Sequence, residues 1–193
     1  MKKIALLFLA VAFAFPLEAQ FEEHEISASY GLVTAYQIAD IFADILVSIF
    51  TLGNFEMSDH SYTGAIFLTY KYAASHRLNI GCTAGIDRMQ GNLMWDDELQ
   101  GYFNKNHTTL AAETDFRWVK KPFFELYTGM GIGYTFSTNL ADLLNGDSEK
   151  INSGHVAVQL NPIGFRLGKK LGFYTEFGFG YKGILNFGAS LQF

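Results

Sequence analysis

After its first nineteen residues this chain keeps a two-residue beat almost to its last position. Over that stretch it never carries an uninterrupted apolar run long enough to cross a bilayer as a helix. Alternation at period two marks strands with one apolar and one polar face. Ile26, Ala28, Tyr30 and Leu32 form the first apolar row, and Ile66, Leu68, Tyr70 and Tyr72 the second. Leu78 to Ile86 and Leu110 to Trp118 carry the third and fourth, and Phe124 to Phe136 the fifth. Val156, Val158 and Leu160 open a sixth, where Pro162 flips the parity to Ile163, Phe165 and Leu167, the sign of a bulge. Phe173, Phe177, Phe179 and Tyr181 give the seventh, and Leu185, Phe187, Ala189, Leu191 and Phe193 the eighth. An even number of antiparallel strands can close on itself without leaving an edge.

Alternation alone does not say which face meets solvent. The polar face carries Gly129, Gly131, Gly133, Gly178 and Gly180. Clustered glycines weaken a strand facing water, but the lumen of a small barrel needs small residues beside large ones. Aromatics gather at both ends of the pattern. Tyr70, Tyr72, Trp118, Phe123, Phe124 and Phe193 mark one end, and Tyr30, Tyr134, Phe136 and Tyr181 the other. Two such girdles fit the two interfaces of a membrane. The expected fold is therefore all-β, an eight-stranded antiparallel up-and-down transmembrane barrel with its apolar face outward. A closed barrel is the only form besides the helix that satisfies its backbone in lipid.

The N-terminus agrees with export. Met1-Lys2-Lys3 precedes the apolar run Ile4 to Phe15, and Leu17-Glu18-Ala19 resembles a small-residue cleavage site. The expected division is a signal peptide over 1–19 and a barrel domain over 20–193. Removing Lys2, Lys3 and Glu18 takes the net charge from −5 to −6, an acidic balance that argues against nucleic acid. Cys82 is the sole cysteine, so no internal disulfide can form.

With the leader, the eight strands and the alternating row Leu185, Phe187, Ala189, Leu191 and Phe193 ending on an aromatic, the chain resembles the small OmpA/OmpX-type barrels of the porin-like outer-membrane β-barrel family. Its style also resembles Bacteroidetes members. The resemblance implies a Gram-negative outer membrane, and a terminal row read by the barrel-assembly machinery. It implies no particular activity.

The inward face is rich in ionisable groups: Glu25, Lys71, Asp87, Glu113, Asp115, Arg117, Glu125, Tyr127 and Glu176. An eight-stranded lumen is just wide enough for side chains to fill. Buried charges must be paired, so the expected interior is a polar network that plugs the barrel, with a water-filled pore as the alternative. Residues 73–76, 119–122 and 168–172 read as short turns, and 36–61, 90–106 and 137–153 as long loops. The short turns and the residue beside the first of them supply Arg77, Lys120, Lys121, Lys169 and Lys170. The long loops hold ten acids, among them Asp40, Asp44, Asp142 and Glu149, against Lys105 and Lys150. Carboxylate-rich loops are candidates for an extracellular ligand or Ca²⁺. In the first loop Ile38, Ile41, Phe42, Ile45 and Ile49 recur at helical spacing, predicting an amphipathic helix whose apolar face caps the mouth, with a place on the outer leaflet or against a partner as the alternatives. A further helical turn is expected at Asn139 to Leu144.

No catalytic constellation stands out. Gly129-x-Gly131-x-Gly133 lies within a strand with no helix after it, which fails the dinucleotide context. Ser153 and His155, with Asp87, are the nearest approach to a hydrolytic set. No catalytic, cofactor or metal residue is assigned. The expected role is non-catalytic, structural or surface-interacting. A narrow solute pore is the alternative, and a lipid-modifying enzyme the third reading.

Overall fold

The fold is seen in a computed structural model, which describes residues 24–50, 55–95, 98–144 and 147–193, with side chains left out at 43–46, 48–50 and 55–62. The leader and its cleavage site lie outside the described residues, as do the side chains of Ile45 and Ile49. Eight strands run in chain order: β1 His24–Leu32, β2 Phe55–Ala73, β3 Leu78–Trp95, β4 Glu98–Lys120, β5 Phe124–Leu143, β6 Ser148–Gly168, β7 Leu171–Gly180 and β8 Leu185–Gln192. Each pairs antiparallel with the next, and β8 returns to β1, closing the barrel. One helix among the described residues, α1 Ala35–Phe50, lies between β1 and β2.

The polar side points in and the apolar side points out. Leu68, Ile132 and Phe173 are 62%, 63% and 70% exposed, whereas Arg117, Tyr181 and Lys182 are each 1% exposed. Such an inverted arrangement suits lipid outside and a filled polar lumen inside. The apolar belt starts beyond the short turns and ends at Ile66, Ile86, Leu110, Phe136 and Val156. It is about ten residues tall, roughly 25 Å at the tilt of such barrels. The next outward row, Arg88–Asn106–Thr138–Asn152 in cross-strand register, is polar.

The expected bulge at Pro162 is present as a register shift between Leu160 and Ile163. Arg166 then falls on the inner face, where it is buried. Tyr181 departs from expectation. β7 ends at Gly180, whose φ of 142° turns the chain, and Tyr181 swings into the lumen instead of joining the outer girdle. A Cβ at Gly131 would collide with the Tyr181 hydroxyl, which gives that lumen glycine its reason.

The long loops are also corrected. Residues 90–106 and 137–153 are almost wholly strand, with β3 and β4 running to the tip at Trp95 and Glu98, and β5 and β6 to Leu143 and Ser148. The helical turn expected at Asn139 to Leu144 is strand through Leu143, with a turn at Leu144. The physical reason is the change of solvent outside. Above the belt the outer row is no longer held to apolar residues, so the alternation weakens in the sequence while backbone pairing carries on, and Met89, Leu93 and Phe103 pack together on the inner face. A sheet of β2–β6 therefore rises above the membrane, while β1, β7 and β8 stop at its rim.

Candidate functional site

Two levels of the lumen carry the chemistry. In the lower one, Arg117 Nη2 lies 2.9 Å from Glu25 Oε2, and its Nη1 pairs with Glu125. Lys71 Nζ lies 2.7 Å from Asp115 Oδ2 and 3.5 Å from Glu113 Oε2. The Arg117 guanidinium also sits 5.2 Å from the Tyr127 ring centre. Tyr127 donates from its hydroxyl to Glu176 Oε1 at 3.0 Å. The expected interior residues Glu25, Lys71, Glu113, Asp115, Arg117, Glu125, Tyr127 and Glu176 thus meet in one network. Asp87 stands apart, higher in the barrel.

Several members were not expected. Lys182, just beyond β7, turns inward and puts Nζ 2.7 Å from Glu113 Oε1. The Tyr181 hydroxyl donates to the same oxygen at 2.9 Å. Asn186 Nδ2 donates to Glu176 Oε2 at 2.8 Å, and Arg166 Nε to Ser190 Oγ at 2.7 Å. Arg166 was signalled by the parity flip at Pro162. For Lys182 the only signal was the glycine on either side of Tyr181-Lys182.

The upper level closes the mouth. Asp87 accepts from Thr34 Oγ1 at 2.7 Å and from Gln37 Nε2 at 3.4 Å. Thr34 and Gln37 cap one another, since Gln37 N donates to Thr34 Oγ1 and Thr34 N to Gln37 Oε1. This is a capping box, legible as Thr34-x-x-Gln37, set on a carboxylate at the positive end of the helix. Tyr36 reaches down to share a hydrogen with Thr135 Oγ1 at 2.6 Å. Its ring stacks on His107 at 4.7 Å and meets the edge of His155 at 5.2 Å. Asp40 pairs with Lys105 at 2.8 Å. Burial raises the Tyr36 hydroxyl above its ordinary pKa. Burial also lowers His107, against the opposing pull of Asp87 and Asp40.

The cap is therefore polar. Ile38 is half-buried, but Ile41 and Phe42, expected to face the mouth, are exposed. His107 Nδ1 lies 2.7 Å from Ser137 Oγ, but both residues are buried beneath Tyr36. Ser153 and His155 stand exposed on β6, while Asp87 is engaged by the helix cap. The described residues bring no three His, Cys, Asp or Glu together as a metal site. The row Leu185, Phe187, Ala189 and Leu191 faces outward on β8, and the backbone of Phe193 pairs with His24.

A closed eight-stranded antiparallel barrel, apolar without and filled with ion pairs within, defines the architecture of the small OmpA/OmpX-type transmembrane barrels. Among solved structures, the chain is similar to Ail, the attachment invasion locus protein of Yersinia pestis. Its complex with the heparin analogue sucrose octasulfate aligns at 13% identity and TM-score 0.48, over 90% of this chain and 96% of that one. A second structure of Ail aligns at 11% identity and TM-score 0.44, with the same coverage. No family model matches, and no curated protein matches.

Proposed function

We propose that this protein is a non-catalytic barrel of the outer membrane, reached through a cleaved leader over 1–19, whose work is surface interaction. The observation that carries the reading is the open edge of the protruding sheet. β5 and β6 pair from Asp142↔Ser148 downward, but β7 joins β6 only at Gln159↔Gly180. Over 148–157, β6 thus has a strand neighbour on one side only, among the described residues. On β2, pairing with β1 stops at Ala65, and α1 packs beside that strand. An unpaired edge is a template for an added strand, with backbone hydrogen bonds giving affinity and alternate side chains giving selectivity. The occupant is an extended polypeptide segment at the cell surface.

An array of extended peptides, each about ten residues long, tests this on the refolded barrel, with bound peptides located by amide hydrogen exchange. Protection over 149–157 is expected. Protection elsewhere only, or no binding peptide, would end the proposal.

The filled lumen and polar cap disfavour the pore reading. Steady single-channel conductance in the intact protein would reverse that. The acidic tip residues and Ca²⁺ remain a secondary proposal, tested by metal-dependent protease resistance of the tips. The outward row Leu185, Phe187, Ala189, Leu191 and Phe193 is proposed as the segment recognised by the barrel-assembly machinery. It is tested by insertion of a Phe193→Ser variant.

A further inference from the structure

The opposite end of the barrel carries an unrelated feature. Three short turns converge there on a cavity of about 560 Å³. Lys120 and Lys121 come from the β4–β5 turn, Lys169 and Lys170 from the β6–β7 turn, and His76 from the β2–β3 turn. The acidic side chain in its lining is Glu125, and Arg117 already holds that carboxylate.

The turns are braced from beneath. Buried Arg166 donates through Nη2 to the carbonyls of Lys169 at 2.9 Å and Lys170 at 3.1 Å, and through Nη1 to that of Gly168 at 3.3 Å. The Gln192 amide donates to the Lys170 carbonyl at 2.8 Å. On the facing turn, Lys121 and Phe124 exchange backbone bonds at 2.9 and 3.2 Å. The lysine stems therefore leave fixed backbone, which reduces the ordering cost of binding. Cations gathered around one mouth add up to a local positive potential, which a bound anion offsets.

The geometry points to a seat for a phosphate group at this mouth, carried by a small periplasmic anion or by an anionic lipid headgroup of the inner leaflet. Phosphate suits the donors better than carboxylate does. Planar carboxylates are matched by an arginine fork, whereas lysines act as point charges and approach a tetrahedral dianion from several directions. The cavity exceeds a bare phosphate, leaving room for the group that bears it. This inference is independent of the sheet-edge reading, since it concerns the other end of the molecule.

The test uses the refolded full barrel in neutral detergent. It is titrated calorimetrically with inorganic pyrophosphate, and separately with a short-chain phosphatidylglycerol, with short-chain phosphatidylcholine as reference. Saturable binding of at least one anionic probe is expected, weakened by salt. The variant combining Lys121→Gln, Lys169→Gln and Lys170→Gln should lose roughly tenfold or more in affinity. All three side chains are exposed at turns, so the fold should survive, which far-UV circular dichroism verifies. Arg77→Gln removes a turn cation outside the cavity lining and should change binding little. Binding of pyrophosphate alone assigns a soluble ligand. Binding of phosphatidylglycerol alone, above the phosphatidylcholine reference, assigns a headgroup. No saturable binding of either, an unaffected triple variant, or an equal loss in Arg77→Gln would overturn the proposal.

Discussion

Below the row Arg88–Asn106–Thr138–Asn152 and above it, the same strands obey different rules. Within the bilayer the outward row of β4 is Leu110, Ala112, Thr114, Phe116 and Trp118, apolar but for Thr114, whose hydroxyl donates to the Asn79 carbonyl, while Thr109, Glu113, Asp115 and Arg117 fill the lumen. Above it, β4 continues upward through Asn104 and Tyr102 on its outer side, held by the ladders to β3 and β5. In the first region side chains dictate the strand, because each face has one permitted chemistry. In the second the inner face still packs Met89, Leu93 and Phe103, but the outer side chains are free to vary and the backbone ladders carry the strand. Stability should therefore concentrate in the lower region, and tolerance to change in the upper.

The largest test is to break the lower network. Arg117→Ala strands Glu25 and Glu125 as buried carboxylates, and its expected cost is about 3–5 kcal/mol, read from urea unfolding in lipid vesicles. Lys150→Ala, in the protruding sheet, should cost less than about 0.5 kcal/mol. Equal costs would erase the contrast between the regions.

The belt's upper boundary is tested on one strand. Ile132→Lys places a charge in the lipid-facing belt and should cost about 2–4 kcal/mol, whereas Thr138→Lys, above the belt, should cost about 1 kcal/mol or less. A large penalty at Thr138 would move the boundary upward past Phe136 by at least one outward row of β5.

Asp87→Ala removes the carboxylate that anchors the Thr34–Gln37 capping box. An expected loss of about 1–2 kcal/mol should fall on α1 alone. Hydrogen exchange over 35–50 should accelerate while the lumen amides keep their protection. Loss of both together would make the cap part of the barrel's own stability.

The smallest effect is the pH response of the cap. Burial under Tyr36 holds His107 below its ordinary value of 6.5, so the docked state binds fewer protons than the undocked one. Docking is then fully supported above that ordinary value and weakens as pH falls through the folded pKa. Asp87, Asp40, Lys105 and His155 are the charged or titratable groups that share this surface. Exchange over 35–50, corrected for intrinsic rate, should be faster at about pH 5 than at about pH 7.5, and His107→Phe should flatten the difference. A profile unchanged by that substitution would place the pH response elsewhere.

The legibility of the molecule follows the same division. The eight strands, the outward face, the Pro162 bulge and the inward set from Glu25 to Glu176 could all be read from period two, because lipid outside and a packed polar core inside leave each position one choice. The length of β3 to β6 above the membrane could not, since water in place of lipid removes the apolar rule from the outer row. The Thr34-x-x-Gln37 box was visible in the sequence, but that Asp87 would receive it was not.

From the sequence alone came the number of strands, their order of faces and the existence of α1, all of which depend on local periodicity. Only the tertiary structure decided that Tyr181 and Lys182 turn inward, that the helix seals the mouth with its polar end, that β6 keeps a free edge, and that lysines of separate turns share one cavity. Each of these depends on register and ring closure, which bring together residues far apart in the chain, and no local pattern records that proximity.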